Sequence, residues 1–157
     1  MIPPDGHTWI DLVSHRIPTE RLAEWATVPS CGAVVTFAGT ARDHSDGRDG
    51  VDQLSYEAYE GPARRRLVAV DAEIRRRWPG VERVALVHRL GEVPIGEAAV
   101  VVITSSAHRH PAFASAQFGI DALKSTVPIW KRERWSSGES WGLEAQHLVD
   151  VDGFTTP

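Results

Sequence analysis

Two lysines carry the first chemical signal in this chain. Lys124 and Lys131 are the only lysines among 17 Lys plus Arg residues, and they flank Pro128. A lysine ammonium is a compact charge whose pKa can be moved, so it can take or release a proton where an arginine cannot. An arginine-rich composition explains why lysines are few. It does not explain why both lie around one proline. Three more cationic or potentially cationic groups follow apolar runs: Arg42 comes after CGAVVTFAGT, and His108-Arg109 after the run 98–104. Gathered at one sheet edge, such a set suits an anionic substrate, a phosphate or a carboxylate. Taken singly, each is an ordinary surface charge.

Other chemistries find less support. His108 and His110 would face one side of a strand and invite a metal, but no third ligand has convincing spacing, and His110 is also a plausible helix cap before Pro111. Cys31 opens an apolar run with no base nearby, a poor setting for a nucleophile. Glu57, Glu92 and Glu133 could act as acids or bases, but nothing in the sequence pairs them. There is no GxGxxG, P-loop or GxSxG motif.

The elements that must position these groups can be read from periodicity. Residues 8–14 alternate as a strand, a short helix runs from Pro18 to Trp25, and the run 31–40 reads as a buried strand. Residues 42–50 (RDHSDGRDG) form a mobile surface loop, and 53–59 a further strand. A long helix starts at Gly61-Pro62, with Leu67, Val70, Ile74 and Trp78 as its buried stripe. Its six arginines, accompanied by Asp71 and Glu73, are solvated flanks rather than a nucleic-acid patch. A strand over 83–89, a turn over 91–96 and a continuous apolar strand over 98–104 follow.

Pro111 then opens a helix whose stripe is Phe113, Ala116, Ile120 and Leu123, with Lys124 at its C-terminal end. Pro128 forces an extended link into a strand over 129–135, and Ser136-Ser137-Gly138 turns it back through Trp141. Helices separated by strand pairs predict an α+β fold, with a mainly antiparallel sheet and packed helices. Residues 1–150 are expected to form one domain and 151–157 a loose tail.

Composition bounds the function. A net charge of −4 argues against general nucleic-acid binding, and a single cysteine excludes an internal disulfide. No apolar run approaches membrane length, and MIPPDGHTW does not read as a signal peptide, so a cytoplasmic protein is expected.

Several segments together resemble the catalytic (large) subunit family of molybdopterin synthase. They are Gly32–Phe37 leading to Gly39 and Arg42; Tyr56-Glu57-Ala58-Tyr59; His88-Arg89 with Gly91-Glu92; Ser106-Ala107-His108-Arg109 with Ala112-Phe113; Leu123-Lys124; and Pro128-Ile129-Trp130-Lys131-Arg132-Glu133 with Gly138 and Trp141. The resemblance implies an α/β-hammerhead fold and conversion of a cyclic pyranopterin monophosphate into molybdopterin. It implies no cofactor. Sulfur would come from the C-terminal Gly-Gly thiocarboxylate of a small ubiquitin-like partner subunit. Two large subunits would form a homodimer with one small subunit at each end, a heterotetramer.

By position, Arg42, His108 and Arg109 would hold the substrate phosphate, with Thr40 and Ala41 alongside. Lys124, in the central catalytic role, and Lys131, in a supporting one, would lie where tail and pterin meet. Arg132 and Glu133 would stand beside them. Two other readings use the same residues: a non-catalytic phosphate- or nucleotide-binding module, and a metal hydrolase built on His108 and His110.

Overall fold

A computed structural model describes residues 1–45, 48–135, 138–141 and 149–155. In chain order the elements are β1 (Thr8–Val13), α1 (Thr19–Ala26), β2 (Ala33–Thr40), β3 (His44–Ser45), β4 (Arg48–Asp49), β5 (Val51–Ala58), α2 (Glu60–Arg77), β6 (Val81–Arg89), β7 (Gly91–Val93), β8 (Ala98–Ser106), α3 (Arg109–Thr126), β9 (Ile129–Trp135) and β10 (Gly138–Trp141). One four-stranded sheet has the order β1-β6-β8-β2, and a second has β10-β9-β5-β7. Among the described residues β1 and β6 alone pair in parallel; the other ladders are antiparallel. The α+β expectation holds.

The first sheet is covered on both faces, which is why β8 (AAVVVITSS) is apolar almost throughout. Successive residues of β6 go to opposite layers. Ala85 and Val87 join Trp9, Leu22, Trp25 and Ile103 beneath α1. Val84 and Leu86 join Leu67, Val70, Ile74, Val102 and Phe118 beneath α2 and α3.

Five expectations need correction. The run 31–40 is not a buried strand: β2 is the sheet's edge, and Thr36, Phe37 and Ala38 are exposed. The loop over 42–50 contains a small ladder, His44 with Asp49 and Ser45 with Arg48. The turn over 91–96 contains β7, which pairs with β5; Gly91 and Gly96 bracket it with φ of 77° and 85°, values that favour glycine.

In α3, Phe113 is 63% exposed and Phe118 is buried instead. At 100° per residue, Phe113 lies about 120° around the helix from Gly119, the middle of the buried face. Lastly, the segment after Asp150 is not loose. Val151 and Phe154 are buried in the α2–α3 layer, and Arg77 donates a 2.6 Å hydrogen bond to the Phe154 carbonyl. Two apolar residues were too few to show a period. Residues 156–157 of the expected tail lie outside the described residues.

Helix α3 begins at Arg109 with His108 as its cap, two residues before the expected start. Pro111 is tolerated because N–H groups of the first turn have no helical partner. Val127 is extended before Pro128, as its sequence position requires. A Cβ on Gly119 would lie 3.0 Å from Val102 Cγ1 and 3.4 Å from Ile74 Cδ1, so glycine lets α3 settle closely on sheet and helix alike. The expected turn residues Ser136 and Ser137 lie outside the described residues; β9 and β10 on either side pair from Trp135–Gly138 to Arg132–Trp141.

Candidate functional site

A cavity of about 140 Å³ opens between the two sheets and the end of α3. Lys124 enters it from the last turn of α3, where the helix dipole favours a cation. Lys131 enters from β9, directly opposite Tyr56 of β5. Strand alternation places Ile129, Lys131 and Glu133 on one face of β9. Glu133 is buried, and its carboxylate lies 2.9 Å from the Lys131 ammonium. Gly39 and Thr40 of β2, Ala99 and Val100 of β8, and Leu123 and Val127 complete the walls with His88. At Gly39 a Cβ would fall 2.7 Å from Val100 Cγ1, so any larger residue displaces that wall.

Arg42 stands just beyond this lining. Ala41 is buried in a small cluster with Val51, Leu54, Val93 and Ala99. Its N–H donates to the Glu97 carbonyl, and its own carbonyl accepts from Gly96. The Arg89 guanidinium in turn pairs with the Glu97 carboxylate. The backbone leading to Arg42 is thereby pinned, while Arg42 itself is exposed.

The structure does not bring all the expected residues together. His108 and Arg109 sit at the other end of α3, about 22 Å from Lys124 at 1.5 Å per residue. They do not line the cavity. Arg132 points to the opposite face of β9 from Lys131, where its guanidinium lies 4.0 Å from Glu139. His108 and His110 lie at a helix start rather than on a strand, so their side chains do not share a face. Among the described residues no group of three His, Cys, Asp or Glu is placed to hold a metal.

Two lining residues have no role in the sequence reading, His88 and Tyr56. The His88 ring is 5% exposed and meets Tyr56 edge-on at 4.9 Å. Its Nδ1 donates to the Arg89 carbonyl at 2.8 Å, which fixes the proton on that nitrogen. Burial holds the His88 pKa down at about 4; the nearby Lys124 charge pushes the same way, and the hydrogen bond to Arg89 opposes both. Alternation along β6 could have indicated an inward-facing histidine, but a lone histidine in an apolar strand carries no chemical signal by itself.

The site can therefore bind an anion beside two ammonium groups, stabilise an oxyanion, and exchange a proton through a lysine. It also shapes acid stability. His88 folds neutral with its pKa lowered from 6.5 to about 4. Its stabilising contribution is complete above pH 6.5 and is lost as the pH falls toward 4. Glu73, clamped by Arg76 and Arg77 on α2, has its pKa lowered from 4.5 to about 2, so its contribution disappears only between those values. Urea midpoints measured from pH 7.5 downward are expected to decline in that order. His88→Gln should remove the earlier decline and leave the later one.

Against known proteins, residues 12–126 match the model of the MoaE protein, and the chain belongs to that family. It is 42% identical over 125 residues to the molybdopterin synthase catalytic subunit of Bacillus subtilis (strain 168), covering 80% of this chain and 78% of that one. The crystal structure of molybdopterin synthase from Staphylococcus aureus superposes with a TM-score of 0.79 at 37% identity, over 83% of this chain and 94% of that chain. A complex of subunits 1 and 2 of molybdopterin-converting factor from Helicobacter pylori 26695 superposes with a TM-score of 0.69, over 88% and 92% of the two chains. At 23% identity that likeness shows the fold alone. Among the described residues no helix is long and apolar enough to cross a membrane.

Proposed function

We infer that this MoaE-family chain serves as the catalytic subunit of molybdopterin synthase, a sulfur-transferring enzyme of molybdenum cofactor biosynthesis. The observation that carries the reading is the convergence of Lys124 and Lys131, from two different elements, on one cavity. On this reading the substrate is a cyclic pyranopterin monophosphate, and the sulfur donor is a thiocarboxylate on the Gly-Gly tail of a small partner subunit. Both reactants are anionic, and bringing them together costs repulsion that nearby cations offset. Lys124 stabilises the tetrahedral acyl intermediate and supplies a proton to the oxygen leaving the pterin. Lys131, held by Glu133, supports it. Thr40 lines the cavity, and Arg42, two residues further along the chain, meets the phosphate.

His108 and Arg109 take a different place in this scheme. Because α3 holds them about 22 Å from Lys124, they can serve the same substrate only from a second copy of the chain. A homodimer with one small subunit per cavity supplies that arrangement. Arg132, on the far face of β9, is left without a direct part.

The first test is co-purification with a small protein ending in Gly-Gly, followed by product formation from the pyranopterin precursor. Arg42→Ala and Arg109→Ala are expected to weaken apparent precursor affinity by about ten- to a hundredfold, the loss of one charge-assisted contact. Saturating precursor should restore much of their rate. Mixed dimers of Lys124→Ala with Arg109→Ala chains should regain activity, because one of the two cavities then has both groups. Mixed dimers no better than the parents would place His108 and Arg109 outside the site.

A further inference from the structure

The buried imidazole of His88 takes no part in the sulfur transfer described above. Its ring lines the cavity, yet Nδ1 is turned back onto its own strand at the Arg89 carbonyl. Nε2 is therefore the nitrogen that carries the lone pair. Among the described residues, the sealed side-chain nitrogens and oxygens without a partner are Arg83 Nε and Arg89 Nε. Among the described residues His88 Nε2 has no hydrogen-bond partner and is not one of these sealed atoms, so on a ring that lines the cavity it opens to that space.

The other polar groups around it differ in kind. Lys124 and Lys131 can only donate, and the Thr40 and Tyr56 hydroxyls can donate or accept. His88 is the lining side chain that offers an acceptor with no charge and no donor on its open edge. We propose that His88 is a ligand-binding residue whose Nε2 accepts a hydrogen bond from an N–H group of the molecule bound in the cavity, beside that molecule's negative charge.

This rests on the sulfur-transfer reading. On that reading both reactants carry an N–H near an anion: the pterin through its ring nitrogens, the carrier tail through its glycine amides. An N–H buried at this edge of the cavity with no acceptor facing it would lose its hydrogen bond to water with no replacement. A protonated imidazole would present a donor instead and add charge beside Lys124. Burial and Lys124 keep the ring neutral down to about pH 4, so the acceptor is available at neutral pH.

The test uses the complex with the small subunit. His88→Gln keeps an acceptor oxygen at similar reach; His88→Leu fills the space without one. Precursor saturation is measured with thiocarboxylated partner in excess, and partner affinity by titration with the unmodified small subunit. His88→Leu is expected to weaken one of these affinities roughly tenfold, with His88→Gln close to wild type. A shift for precursor assigns the N–H to the pterin; a shift for partner assigns it to the tail.

A folded His88→Leu protein with both affinities unchanged overturns the proposal. So does a His88→Gln protein that loses as much as His88→Leu. Should His88→Leu fail to fold, the ¹⁵N resonance of Nε2 in the wild type decides. It must move from its unprotonated position when precursor or partner is added, and a resonance that stays put rejects the contact. A wild-type complex that makes no product sinks the sulfur-transfer reading itself, and this proposal with it.

Discussion

Lys124→Ala is expected to reduce molybdopterin formation by about a thousandfold or more while leaving the fold intact. The magnitude follows from losing both an oxyanion stabiliser and a proton donor at one position. The fold should survive because the Lys124 side chain is exposed and makes no hydrogen bond or ion pair among the described residues. Lys124→Arg should fail nearly as badly. A guanidinium is bulkier and does not release its proton. Lys131→Ala should cost less, since the Lys131 charge is already engaged by Glu133. Single-turnover assays with loaded partner in excess, alongside melting curves, provide the measurement. Near-normal turnover by either Lys124 variant would remove that residue from the chemical step.

The second large effect is on stability. Phe118 is 1% exposed and joins three elements. Its ring lies 5.6 Å from Trp78 and 5.8 Å from Phe154, with the Arg77 guanidinium 4.2 Å above its centre. Phe118→Ala should cost about 3–5 kcal/mol, as buried aromatic truncations do. That is a large part of the roughly 5–15 kcal/mol that holds a typical domain together. Phe113→Ala, on the exposed side of the same helix, should stay within about 0.5 kcal/mol. Urea unfolding of the two variants is the check, and comparable losses would contradict the packing described for α3.

That contrast shows what the sequence made legible in α3 and what it did not. The helix, its end before Pro128 and the placement of Lys124 all follow from local chemistry. Of the buried face, Ala116, Ile120 and Leu123 follow too, but Phe113 does not, because α3 is wedged between a sheet and α2 and has apolar residues on more than one side. Phe113 then fits a three-four spacing as well as the true core does. β2 departs from expectation for a related reason: β-branched composition marks a strand, but its place at a sheet edge is a property of topology.

The two lysines were found because Pro128 marks the junction of two elements that must fold back on one another. His108 and Arg109 join them in the sequence by charge, by their place after an apolar strand and by the family resemblance, none of which fixes a distance. An 18-residue helix intervenes, and its length sets the separation. His88 went without a role because its importance lies in Tyr56, Lys124 and the Arg89 carbonyl around it, none of which a local pattern relates to it.

The pairing of Lys131 with Glu133 has a consequence for the valence of what the cavity can hold. With that pair neutral and His88 uncharged, the described lining offers one net positive charge, on Lys124. One monovalent anion is matched there, and a second negative group brought inside would be left over. On the sulfur-transfer reading the two anionic reactants cannot both be neutralised inside, so one of them would draw its counter-charge from Arg42 or from a neighbouring chain.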